Sequence, residues 1–212
     1  MNNQEVNESL TIDKNVVKKE KLNIGLFLSG KIVSLLGSFS YSLAISWYIL
    51  SVTGSATTFA ISILMTMLPR VLFGPFAGAL ADRFDRKKLT VGLDALSGII
   101  VLTLLGVSTV YGLKISFIYI TSFCLAMTNT FFDVSINASL PNLVTDKKLL
   151  KISSYGQAVS SLAGILGPVL GGVLYGLVSI ELFLLINGIS FIVSSISEMF
   201  IDFKLNKKKE DN

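Results

Sequence analysis

Six stretches, approximately 24–50, 57–80, 89–110, 116–139, 154–178 and 181–202, stay apolar long enough to cross a bilayer. Crossing takes about 20 residues, at about 1.5 Å each, for a core about 30 Å thick. In hydrocarbon every backbone N–H and C=O must be satisfied within its own segment, so each stretch is expected to be a helix. Only 15% of the 212 residues are charged and 51% are hydrophobic, whereas soluble domains carry about 25% charge. The expected fold class is all-α, a polytopic membrane protein of six transmembrane helices embedded in the lipid bilayer. Residues 1–22 are polar and of mixed charge, and read as a disordered cytoplasmic tail; 23–203 form the six-helix unit; 204–212 form a basic cytoplasmic tail. The first apolar run is too long for a signal-peptide core, and no small-residue cleavage pattern follows it.

Basic residues orient the spans. Lys14, Lys18, Lys19 and Lys21 precede the first; Arg83, Arg86, Lys87 and Lys88 join the second to the third. Lys147, Lys148 and Lys151 join the fourth to the fifth, and Lys204, Lys207, Lys208 and Lys209 follow the sixth. The other side has Lys114 alone, so both termini are expected in the cytoplasm of a plasma-membrane protein. Lys31, early in the first span, is expected to snorkel to that surface.

Helical spacing sorts the polar residues. Ser34, Ser38, Ser42 and Ser46 recur every four positions in the first span, as do Thr121, Asn129, Asp133 and Asn137 in the fourth, with Leu125 interrupting. Such stripes cannot face lipid unsatisfied. They either hydrogen-bond between helices or line a shared water-accessible cavity, and the carboxylate favours the cavity. Arg70, Asp94 and Asp133 lie within spans, where facing lipid at the bilayer centre costs about 2.5–3.5 kcal/mol each. Arg70, beside Pro69, can pair with a carboxylate or bind an anion. Asp133 is the candidate proton- or cation-responsive group; the alternative is a structural Arg–Asp pair that never titrates. Asp94, about one turn into the third span, is read as structural, capping the network of the nearby charged turn. Glu198 and Asp202 are expected to snorkel or to meet the basic tail.

The chain has no histidine, which excludes Ser-His catalysis, His-containing zinc sites and histidine proton shuttles. An aspartyl intramembrane enzyme would need Asp94 and Asp133 in a glycine context they lack. The net charge of +4 is confined to loops and does not suggest nucleic-acid binding. The single Cys124 precludes an intrachain disulfide. Neither an enzyme, a metal nor a cofactor is expected.

Two motifs remain. Asp82 to Lys88 packs two acids and four bases into seven residues between apolar runs, marking a short turn at a membrane surface. Small residues before it, Gly78 among them, allow close helix packing. The fifth span carries Ser160, Gly164, Pro168, Gly172 and Gly176 at successive fourth positions, with Ala163, Gly167 and Gly171 beside them. That is a smooth ridge with a proline bend.

The turn GALADRFDRKKLT resembles the 2–3 loop signature of the major facilitator superfamily, G-x-L-A-D-R-x-G-R-K-x-x-L. Gly78, Leu80, Asp82, Arg83, Arg86 and Lys87 match, whereas Asp85 replaces a glycine and Thr90 a leucine. AGILGPVLGG is similar to that superfamily's antiporter signature G-x-x-x-G-P-x-x-G-G through Gly167, Pro168, Gly171 and Gly172, with Ala163 replacing the first glycine. LPRVLFGPFAGALADRFDRKK, FFDVSINASLPNLV and NGISFIVSS are similar to the macrolide and siderophore efflux branch. The resemblance covers about 24–203. It implies one half of a twelve-helix fold, built as a 3+3 repeat, with a central cavity and alternating access.

By that resemblance the first and fourth helices line the cavity, so Asp133, Asn129, Arg70, Asn137 and Ser38 would bind substrate or proton. Gly78, Asp82, Arg83, Arg86 and Lys87 would form a gating turn that latches the two halves, Asp82 at a helix N-terminus of the other half. Gly164, Gly167, Pro168, Gly171 and Gly172 would seal against that half. The sequence lacks the arginine common in the fourth span of such exporters and an acid near Ser38, and has Asn142 where an acid is frequent. The implied function is proton-coupled efflux of a small amphipathic molecule. The rival reading is a non-transporting six-helix protein that binds or regulates a partner. A truncated frame, a split transporter with a second chain, or a homodimer would each explain the length; truncation is the expectation, which allows an inactive fragment.

Overall fold

The computed structural model describes residues 3–203, with side chains described for 17–145 and 148–203. The basic tail 204–212 and the side chains of Lys14 and Lys147 lie outside the described residues. Seven helices follow in order: α1 Asn3–Thr53, α2 Ala56–Arg83, α3 Arg86–Tyr111, α4 Ile115–Ala138, the single turn α5 Leu140–Leu143, α6 Asp146–Leu177 and α7 Ile180–Glu198. Six of them, all but α5, are long and apolar enough to cross a membrane, as the hydropathy pattern requires.

Boundaries differ from expectation where polar residues have partners. Residues 3–22 lie within α1. No glycine or proline interrupts them, and Glu20 and Asn23 are buried. Glu20 accepts the Thr145 N–H at 2.7 Å and pairs with Lys148 at 2.5 Å. A carboxylate thereby sits at the N-terminus of α6, which begins at Asp146 instead of 154.

Helices adjacent in sequence are not always adjacent in space. α1 lies mainly against α6, α2 against α4, and α3 against both α7 and α4. Exchanging the first three spans with the last three converts the α1–α6 pairing into α2–α4 and the α1–α7 pairing into α3–α4. Two three-helix units of inverted topology would pair this way.

Close approach sets the seams. A Cβ on Gly98 would lie 2.7 Å from Ile192 and 2.9 Å from the Gly188 carbonyl, so α3 and α7 cross backbone to backbone. A Cβ on Gly171 would collide with the Ser40 carbonyl oxygen, and one on Gly167 with Phe39. The Ser40 hydroxyl donates to the Gly167 carbonyl at 2.9 Å, pinning α1 to α6. Phe73 of α2 stands edge-on to Phe123 of α4 at 6.3 Å. One apolar core gathers Tyr41, Ile45, Val101, Ile118 and Phe191; a second, toward the charged turn, gathers Phe27, Phe132, Leu143, Ile152 and Ile201.

Candidate functional site

A cavity of about 410 Å³ opens between α1, α2 and α4. From α1 it receives Ser34, Ser38 and Ser42, from α2 Thr66, Met67 and Arg70, and from α4 Ser122, Asn129 and Asp133. Three of the four residues in the first stripe and two of the four in the second therefore face one hollow. Ser46 does not: its hydroxyl receives the Ser62 hydroxyl at 2.8 Å and donates to the Ser42 carbonyl at 2.7 Å. Thr121 also leaves the stripe, lining a separate apolar hollow with Cys124, Ile99 and Phe117. The interruption at Leu125 marks where the face turns.

Arg70 and Asp133 meet across the cavity, Nη2 to Oδ2 at 2.9 Å. The guanidinium is the more open partner, its side chain 64% exposed against 23% for Asp133. Asp133 Oδ1 has no hydrogen-bond partner among the described residues. Asn137 is exposed beyond the cavity lining and accepts from Lys31 Nζ at 3.1 Å. Lys31 thus does not snorkel: it is buried, with its ammonium 5.8 Å from the Phe27 ring centroid. The amide and ring offer a cation partners inside the bundle, which removes the need to reach the surface. Ser38 donates to the Ser34 carbonyl at 2.9 Å within α1.

The charged turn is shorter than its charges. Only Phe84 and Asp85 separate α2 from α3; Asp82 and Arg83 end the one, and Arg86 and Lys87 begin the other. Asp85 is the N-cap of α3, its carboxylate accepting the Lys88 N–H at 3.1 Å. That gives the acid at the glycine position of the signature a role in stopping one helix and starting the next. Arg86 lies 3.3 Å from Asp82 and donates to the Ala138 carbonyl, the last residue of α4. Lys87 donates to the Ile201 carbonyl beyond α7 at 3.0 Å. The turn's cations therefore hold the ends of two other helices. Thr90 bridges the Arg86 carbonyl and Ser135 of α4 at 2.8 and 3.2 Å. Arg83 is exposed, and Gly78 faces open space; close packing in that turn of helix falls to Ala77 and Ala81.

In α6, Gly167 and Gly171 pack on α1 of the same chain, so these two do not face outward. Gly164 and Gly172 meet only distant atoms, at 3.9 and 3.7 Å, and Pro168 is half-buried between them. The ridge is thus divided between an internal seam and an outer face.

The family model described as Major Facilitator Superfamily matches residues 27–211. The chain belongs to the Major Facilitator Superfamily. Within this superfamily it is similar to macrolide efflux protein A of Streptococcus pyogenes, 30% identical over 177 residues, or 84% of this chain and 44% of that protein. It is similar also to macrolide efflux protein A of Enterococcus faecalis, 29% identical over 148 residues, 70% of this chain and 46% of that one. The staphyloferrin A transporter of Staphylococcus aureus is 22% identical over 187 residues, 87% of this chain and 47% of that transporter. The chain spans less than half the length of these curated relatives. The six helices form a unit corresponding to half of a twelve-helix facilitator fold, a multi-pass membrane protein of a transporter family.

Sequence reasoning missed Glu20 and Asn23 and misplaced Glu198. Asn23 donates to the Leu143 and Asp202 carbonyls at 3.1 and 3.0 Å and accepts the Asp202 N–H at 3.0 Å. Glu198 is 1% exposed, so it does not snorkel, while Asp202 lies 3.8 Å from Lys19. Asp94 is buried and accepts from the Ser34 hydroxyl of α1, away from the charged turn. For Glu20 and Asn23 the only signal was their position just before an apolar run, where polar residues are ordinary.

Proposed function

We propose that this chain supplies one wall of a secondary efflux transporter that moves a small amphipathic molecule outward in exchange for protons. The observation that carries the reading is the Arg70–Asp133 pair, set among hydroxyls and apolar side chains in a cavity of about 410 Å³. Generic apolar lining with a few placed polar groups suits an amphipathic guest. Asn129, Ser38 and the Arg70–Asp133 pair hold substrate or proton, and Asn137 tethers Lys31 beside them. Membership of the superfamily supports transport, and the names of the macrolide relatives support the outward direction.

A second six-helix unit supplies the facing wall. Its support is the one-sided cavity and the apolar side chains left uncovered on α2 and α6, Met67, Val71, Phe76, Ile165 and Val169 among them. Asp82 of the gating turn meets that unit on the cytoplasmic side.

The test is uptake of a labelled macrolide into inverted plasma-membrane vesicles holding the chain together with the C-terminal half of its Streptococcus pyogenes relative. Uptake driven by a pH gradient is expected, and Asp133→Asn should abolish it with insertion unchanged. Gradient-driven uptake that survives Asp133→Asn removes Asp133 from the coupling step.

A further inference from the structure

Two acids lie outside the cavity, on the seam where α1 meets α3 and α7. Asp94 and Glu198 are each 1% exposed, and neither has an ion-pair partner among the described residues. Asp94 Oδ1 receives the Ser34 hydroxyl, while Asp94 Oδ2 and Glu198 Oε2 have no hydrogen-bond partner among those residues. Glu198 lies within electrostatic reach of Asp94. The space it occupies is built for it. A Cβ on Gly30 would stand 3.2 Å from Glu198 Oε1, so the absent side chain lets the carboxyl rest on α1. Ser194 closes the same spot by donating to the Gly30 carbonyl at 3.2 Å.

Of the described cations on the packed elements, Lys18, Lys19, Lys21 and Lys88 are exposed, α7 carries none, and the others are committed elsewhere. On α1, Lys31 is turned to Asn137. On α3, Arg86 and Lys87 hold the ends of α4 and α7. On α4, Asp133 faces Arg70. Asp94 and Glu198 meet α1 one helical turn apart, at Ser34 and Gly30, with no ion-pair partner among the described residues, and two carboxylates sharing such a buried site cannot both be ionised.

We propose that Asp94 and Glu198 form a proton-binding pair that exchanges with the central cavity through Ser34. Ser34 is the link because it both lines that cavity and donates to Asp94. With the proton bound, α1 rests on α3 and α7; with it gone, unpaired charge favours parting them and admitting water. That such a motion serves transport rests on the reading above. The presence of the proton does not, so the two can fail separately.

The experiment is infrared spectroscopy of the purified full chain in liposomes, through a pH titration in choline chloride. A protonated-carboxyl stretching band is expected at neutral pH, persisting in Asp133→Asn, shifted in Asp94→Asn and in Glu198→Gln, and lost in the double variant. Retention of the helical circular-dichroism spectrum certifies each variant. Should neither seam variant accumulate, wild type and Asp133→Asn decide: the band in both supports the pair, and its absence from either overturns it. A band unmoved by all seam substitutions also overturns the proposal. So does its disappearance when sodium replaces choline at fixed pH, since the pair would then hold a metal cation.

Discussion

An arginine 64% exposed at its side chain and an aspartate 23% exposed form a pair that water reaches. Pairs that open contribute about 0.2–1 kcal/mol, whereas breaking a buried pair costs about 3–5 kcal/mol. The difference decides between a structural Arg70–Asp133 pair and a working one. Arg70→Gln and Asp133→Asn are each expected to lower stability by less than about 1 kcal/mol, measured by thermal unfolding in detergent. A loss of about 3 kcal/mol or more in either would assign the pair to holding the fold. Both residues were legible because an ionisable group inside an apolar run is costly unless it faces protein or water. Which group each one faced was not legible. Lys31 and Asn137 are 106 positions apart, and Glu198 has the depth of a snorkelling residue but points inward. Depth along a span follows from counting residues; direction around it depends on which helix packs alongside.

Helices were easier to foresee than their seams. Bilayer thickness fixes a minimum length, so all six spans were recoverable, and the errors fell at ends that side chains cap from a distance. Glu20 capping α6 is such a case, separated by 125 positions from the amide it accepts. The glycine ridge shows the same limit: spacing revealed smoothness, but not that Gly171 lies against Ser40 while Gly176 meets open space. Gly171→Ala should therefore destabilise by about 1–3 kcal/mol, because backbone cannot give way as a side-chain tip can. Gly176→Ala should leave stability unchanged or raise it by about 0.4–1 kcal/mol, by reducing the freedom of the unfolded helix. Urea unfolding of both variants in mixed micelles checks the contrast, and equal effects would place the α1–α6 contact elsewhere.

For the whole molecule, we propose from the bias of basic residues toward one side that the charged turn faces the cytoplasm. In a Cys124→Ser background, Val110→Cys should react with a membrane-impermeant maleimide in intact cells, and Asp82→Cys only after permeabilisation. The reverse pattern would invert the assignment of both termini. Hydrogen bonds gather the charged turn, the ends of α4 and α7 that it holds, and Asn23 at one end of the bundle.

Asn23 joins that end across 179 positions, exchanging hydrogen bonds with Asp202 while donating to Leu143. During synthesis the amide therefore waits through nearly the whole chain for its last acceptor. Ser40, Gly37 and Gly30 on the same helix likewise find partners 127, 150 and 164 positions later. α1 is thus held by α2 and α4 and, at these positions, only by the helices that come after them. The Asn23 amide is therefore fully satisfied only when the segments before α6 and after α7 are both in place.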